Sequence, residues 1–380
     1  MKKSLLDIVL IHHPDDRVSE PYVNAVTRAF EYLRPDKTVS PFSEAEHPWE
    51  RVQVLCCTTA EDLNRALTRE ETPTLYLVLV SDLLVNSADF AAALDKVAEL
   101  LPKEDQGRRN AICYSYSDTA MQSLPAKLSS RQIRGAAVLG ENRIRPFRLA
   151  LQSLHRARIV LGLPANSNKL KMFLSHAKVD GVFFAQALKH SIDQVPELEC
   201  IYDDTDIPSG SDWAWKLEDA AANSVMIALR TPAYEQRLAC REEFETALLF
   251  GVPIVVVDGM SMASVSGPSH LPFAAMPTVR IADGNTHRVL MAALREHMRL
   301  LLMQAMVDEK TVDCAGIDVR VWPRFPCISA MTSQVRSSQY WLIPQSHIFD
   351  AELQASRNWL ASMNASLKLE VLELFRPVPS

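Results

Sequence analysis

What this chain lacks narrows its class first. No segment approaches the roughly 20 consecutive apolar residues that a bilayer-spanning helix needs, so a membrane protein is not expected. Met1-Lys2-Lys3 is basic, but the apolar run from Leu5 to Ile11 is short and broken by Asp7, so it reads as a strand and not as a signal peptide. The seven cysteines include no CxxC pair and, apart from Cys56 and Cys57, are scattered. A zinc ribbon, a thioredoxin-like site and a disulfide framework are therefore not expected, and a reducing cytosol suits the chain. The formal net charge of -6 is spread over interspersed signs with no basic stripe, which gives no reason to propose a nucleic-acid partner. The expectation is a cytoplasmic protein with no nucleic-acid or membrane partner.

What is present is a globular composition, 48% hydrophobic and 23% charged over 380 residues. At about 150 residues per domain, two or three domains fit. Short apolar runs alternate with amphipathic stretches, the pattern of a parallel sheet wrapped by helices. In the middle third, Leu170 to Ser175 reads as a strand and Gly181 to Ile192 as a helix with Val182, Ala185, Leu188 and Ile192 on one side. Glu199 to Tyr202 is a short strand, followed by a loop from Asp203 to Asp212 and a helix from Trp213 to Ala222. Ser224 to Leu229 is a buried strand, and Glu242 to Phe250 a helix ended by Gly251. Pro253 to Val257 and Thr278 to Ile281 are strands, and Thr286 to Met306 is a long helix.

The first third repeats this plan in degenerate form. Asp7 to His13 resembles Leu170 to His176, and Leu75 to Val80 resembles Ser224 to Leu229. Asp89 to Leu94 resembles Glu243 to Leu248. Ala111 to Tyr114 stands for Pro253 to Val257, and Arg148 to Ile159 for Val289 to Leu300. The order of all five segments is kept, although any two parallel α/β domains share some of this pattern. Leu163 to Asn168 reads as the linker. From about Thr311 the chain is richer in Pro, Trp and Ser. Strands are expected at Asp318 to Pro323 and Ser338 to Ile343, a helix at Asp350 to Met363, and either element at Leu367 to Leu374. The expected domains are 1–163, 169–306 and a small α/β appendage at 311–380, which packs on the middle domain.

Three pieces of the middle third carry chemistry. They are Phe173-Leu174-Ser175-His176-Ala177 at the end of the first strand, the acidic run Tyr202 to Trp213 containing Pro208 and Gly210, and Cys240-Arg241-Glu242-Glu243-Phe244 after the third strand. Each is weak alone. In this order, with strands between them, they resemble the Toll/interleukin-receptor (TIR) domain, in its bacterial, NAD-cleaving branch. The resemblance covers about a third of the chain. It implies a flavodoxin-like five-stranded parallel sheet of order 2-1-3-4-5. The first third is then expected to be a degenerate TIR-like α/β domain.

In such sheets ligands sit at the carboxyl ends of the strands, and the three pieces converge on that edge. Breaking the ribose–nicotinamide bond builds positive charge on the sugar, and one carboxylate can stabilise it. The resemblance places that role on Glu243, with Glu242 the alternative; a glutamate in a helix's first turn also simply suits the helix dipole. Phe173, Ser175, His176, Asp206, Trp213, Tyr234 and Cys240 are the candidate substrate-binding residues. For several of them a structural role competes. His176 could be a satisfied strand-end residue, Cys240 packing rather than a nucleophile, and Trp213 and Trp215 one buried and one exposed edge of a helix. Asp203, Asp204 and Asp206 lack the full pattern of a calcium loop, so no metal is expected. Ala239 stands where many relatives carry an aromatic residue, leaving Tyr234 or Trp213 to supply a stacking surface. Asp89 replaces Glu243 in the first domain, which is therefore expected to be inactive.

NAD is the expected substrate, with no bound cofactor. Ile207, Pro208, Ser209 and Gly210 are the expected assembly loop. Contact through residues 203–212 would build a homo-oligomer or filament. The resemblance implies an antiphage or immune-type effector, with an activator protein or a nucleotide signal as its trigger. The competing readings are a non-catalytic interaction or scaffold module and a nucleotide sensor.

Overall fold

The computed structural model describes residues 4–33, 47–69, 71–102, 107–115, 118–133, 145–162, 169–202, 223–258, 271–273, 276–281, 286–312, 319–323, 340–343, 354–358, 368–372 and 375. The chain divides into two compact units, one of residues 1–34 and 47–166, the other of residues 35–46 and 167–380.

The first unit runs β1 (Leu6–Ile11), α1 (Glu20–Glu31), β2 (Val52–Cys57), α2 (Ala60–Leu67), β3 (Thr74–Val80), α3 (Ala88–Leu100), β4 (Arg109–Ser115), β5 (Gln132–Ile133) and α4 (Arg145–Val160). All pairings are parallel, in the order β2-β1-β3-β4-β5. Every residue of β1 and β3 is buried, as expected of central parallel strands covered on both faces. The edge strand β2 is only partly buried.

In the second unit the order is β6 (Leu170–His176), α5 (Val182–Asp193), β7 (Leu198–Tyr202), β8 (Ser224–Arg230), α6 (Leu238–Leu249), β9 (Ile254–Asp258), β10 (Thr278–Arg280) and α7 (Thr286–Thr311). Its sheet is also wholly parallel, ordered β10-β9-β8-β6-β7. Counted from the other side this is 2-1-3-4-5, the order expected, and it is the order of the first sheet. The register agrees as well. Ile8 faces Leu75 as Lys171 faces Ser224, and Leu77 faces Ile112 as Met226 faces Ile254. The three strand segments that resemble one another in sequence thus occupy the same places in the two sheets.

On one face of the second sheet α6 packs over Phe173, Ala177, Met226, Ala228, Ile254 and Val256, with Leu271, Phe273 and Met276 completing the cluster. On the other, α5 and α7 lie together, tied by Ser191 Oγ and Thr286 Oγ1 at 2.7 Å. Helix α6 ends in a Schellman motif. Val252 N donates to Ala247 O and Gly251 N to Leu248 O, with Gly251 at φ +67°, where a side chain would strain the backbone.

The C-terminal part contributes three parallel strands, β11 (Val319–Val321), β12 (Tyr340–Ile343) and β13 (Lys368–Val371). Of the segment expected as strand or helix at 367–374, residues 368–371 form strand β13 and Leu372 a turn. Of the helix expected at 350–363, residues 354–358 are described and helical. Arg320 Nη2 donates to Leu249 O at 3.2 Å, a cation at the carboxyl end of α6, and the Trp322 ring lies beside Gly251.

Most ends in the second unit lie within a residue of expectation, and two helix ends lie four or more away. Helix α7 continues past Met306 to Thr311, and α6 begins at Leu238 rather than Glu242. The early start carries no signal, because Arg237 at the N-cap makes no side-chain cap and the first turn holds no acidic residue. The loop 203–212 and the helix expected at 213–222 lie outside the described residues.

Candidate functional site at the carboxyl edge of the second sheet

Strand periodicity decides which side chains can meet here. Along β6, Phe173, Ser175 and Ala177 share a face, and Phe173 and Ala177 belong to the cluster under α6. Ser175 therefore points toward α6 from the carboxyl end of its strand. In the second turn of α6, Glu243 is half-buried on the inner side, while Glu242, about 100° further round the helix, is exposed. Ser175 Oγ donates to Glu243 Oε2 at 2.5 Å. Of the two glutamates weighed from sequence, the structure brings Glu243 to the strand end. Since it sits a turn beyond the helix start, a helix-dipole role does not account for it.

Tyr234 joins them from the turn after β8. Its hydroxyl lies 2.7 Å from Ser175 Oγ, and its side chain is 0% exposed. Burial pushes the phenol well above its usual range, and the Glu243 charge adds to that rise, while the bond to Ser175 works the other way. The ring packs near Phe273, which meets Phe244 edge-on at 5.2 Å. Tyr234 therefore offers no stacking face to a ligand, which corrects the expectation from sequence. Phe173, also 0% exposed, is likewise core and not a substrate contact.

The turn bearing Tyr234 is clamped by Asp180, which the sequence reading missed. Thr231 Oγ1 donates to Asp180 Oδ1 at 2.6 Å and Ala233 N to Oδ2 at 3.0 Å. Asp180 is positioned by a tight turn in which Gly181 N donates to Ala177 O at 2.8 Å. The signal available was an aspartate following the strand-end motif in a short loop, before a helix. Arg230, at the end of β8, reaches Glu235 at 3.7 Å and lies over the Phe273 ring.

His176 does not join Glu243. The alternation of β6 sends its ring to the other face, where it stacks on Tyr202 at 5.0 Å and 9°. Buried Cys240 directs Sγ at His176 O, 3.5 Å away, so it ties the start of α6 to the end of β6. That is a packing role and not a nucleophile's. Asp206, Ile207, Pro208, Ser209, Gly210, Trp213 and Trp215 lie outside the described residues, as do Asp203 and Asp204. Among the described residues, no group of three or more His, Cys, Asp or Glu side chains could hold a metal, and no helix is long and apolar enough to cross a membrane. In the first unit Asp89 is exposed in the first turn of α3, and His12 stands where Ser175 would be, its Nδ1 3.3 Å from Ser19 Oγ.

The family model of the TIR domain matches residues 172–267, so this part of the second unit is a TIR domain. No curated protein matches the chain. Among solved structures, a carbohydrate transporter from Acidothermus cellulolyticus 11B in complex with myo-inositol is 10% identical. It covers 80% of this chain and 87% of that one, with a TM-score of 0.21, too low to carry an argument.

Proposed function

We propose that the TIR domain of this chain is an NAD glycohydrolase with Glu243 as its catalytic carboxylate. The observation that carries this reading is the half-buried Glu243, held by Ser175 at 2.5 Å on the sheet edge where parallel α/β folds bind ligands. In the reaction the bond between ribose C1′ and the nicotinamide nitrogen breaks, and its electron pair leaves with neutral nicotinamide. Water, or an adenine nitrogen in the cyclising variant, then bonds to C1′ and loses a proton. The ionised carboxylate stabilises the oxocarbenium-like state between these events. The same reading makes the protein an immune-type or antiphage effector. It is switched on by self-assembly through residues 203–212, under an activator protein or a nucleotide signal. The first unit is a degenerate, inactive TIR-like partner, and its exposed Asp89 supports that part.

The test is to incubate the full chain with NAD at low and high protein concentration and follow free nicotinamide by chromatography. Release should rise faster than linearly with concentration, and Glu243→Gln should abolish it.

A second reading, a non-catalytic interaction module, is favoured by one specific observation. Val179 and Phe183, around the start of α5, and Leu238, at the start of α6, are exposed apolar side chains, Phe183 to 76%. Parental protein that never releases nicotinamide, even when assembled, would decide for this reading.

A further inference from the structure

We infer that Tyr234 and Ser175 form a one-way hydrogen-bond chain that fixes the charge and aim of Glu243, which makes both of them positioning residues. The inference rests on the proposed role of Glu243, but the chain can be read without turnover.

Direction follows from counting protons. Tyr234 is fully buried, so its phenol stays protonated and must donate. Its partner is Ser175 Oγ at 2.7 Å, which therefore accepts. A serine hydroxyl has a single proton. With an acceptor position taken by Tyr234, Ser175 spends that proton on Glu243 Oε2, 2.5 Å away. A donor already polarised by a second donor is a better donor. The carboxylate at the end is held in its ionised form, the form an oxocarbenium-like state needs. Ser175 is only 2% exposed, so it supports the carboxylate and does not meet substrate itself.

The geometry is braced from outside the chain. Asp180 holds Thr231 and Ala233, the residues leading into the Tyr234 turn. Cys240 holds the start of α6 against the end of β6. Both contacts fix distances within the Tyr234–Ser175–Glu243 line without touching its hydroxyls.

The test uses the full chain carrying glutamate labelled with 13C at the side-chain carboxyl. The Glu243 signal is identified by its loss in Glu243→Gln and followed through a pH titration. Tyr234→Phe keeps the buried ring and removes only the hydroxyl. Ser175→Ala removes the second link, and serves alone if Tyr234→Phe does not fold. In both variants Glu243 should titrate at higher pH than in the parent, further in Ser175→Ala, and Ser175→Thr should return it toward the parental value. In NAD turnover the acid limb of the pH profile should move the same way. The kcat should fall about tenfold with KM little changed, the expectation for losing one hydrogen bond to a charged group. Unchanged titration of Glu243 in Ser175→Ala and in any folded Tyr234→Phe would overturn the inference. A shifted titration in the variants, together with a parent that never cleaves NAD, would uphold the hydrogen-bond chain and remove the glycohydrolase reading.

Discussion

Gly181→Ala is the substitution through which the site's scaffold can be tested most directly. Gly181 sits at φ -98° and ψ -15°, an ordinary conformation, so backbone strain does not enter. What matters is room. A Cβ there would lie 2.9 Å from Ala177 O and 3.1 Å from His176 Cβ. An unstrained carbon–oxygen contact is about 3.3–3.6 Å, so several tenths of an ångström must open. The neighbours are backbone and a Cβ, which cannot swing aside. Overpacking of this kind costs about 1–3 kcal/mol. The lost freedom of the unfolded chain returns about 0.4–1 kcal/mol. The central values leave a destabilisation of roughly 1.3 kcal/mol. For a unit of this size that lowers Tm by roughly 3–5 °C. The turn also carries Asp180, so nicotinamide release should fall at temperatures where the protein is still folded. Differential scanning calorimetry on the full chain reads the first effect and chromatography the second. An unchanged or raised Tm together with parental nicotinamide release would refute the reasoning.

Other outcomes follow from the same geometry. Glu243→Gln should lower nicotinamide release by about 100-fold or more, while Glu242→Gln, on the exposed side of α6, should leave it near the parental rate. Asp180→Asn places an NH2 where one of two donors now points, and should lower stability by about 1 kcal/mol and reduce kcat. Burial raises Tyr76 to about 12 and Tyr234 well above its usual range. In the folded protein these phenols keep protons that an unfolded chain releases near pH 10. Their contribution is therefore complete below that pH and is lost as pH rises toward the folded values. Melting temperature should fall with pH above about 10, and the buried tyrosinates should become visible at 295 nm only as the circular dichroism of the fold is lost.

The strands were readable because central parallel strands are apolar almost throughout, as in Leu75 to Val80 and Val225 to Leu229. The position of Glu243 at a strand end was readable because its motif follows one of them. Strand β2 was not placed from sequence: Val52-Gln53-Val54-Leu55-Cys56-Cys57 lies at an edge and mixes polar with apolar side chains. Strand β5 has two residues, too few for any pattern. The sequence leaves the stacking surface to Tyr234 or Trp213, because an aromatic residue near a motif says nothing about which way its turn folds. That direction comes from Asp180, 53 residues away from Ala233. The side of the sheet on which His176 lies follows from alternation, but only once the strand is known to include it.

The spacing of Tyr234, Ser175 and Glu243 along the chain bears on synthesis. Ser175 lies 59 residues before Tyr234 and 68 before Glu243. At roughly 5–20 residues per second, the ribosome needs several seconds between the first of these positions and the last. A chain growing from its amino end therefore carries a finished first unit while Ser175 still has nothing to hold. On the glycohydrolase reading, the site would be incomplete throughout that interval, and every prematurely terminated fragment ending before Glu243 would stay inactive too.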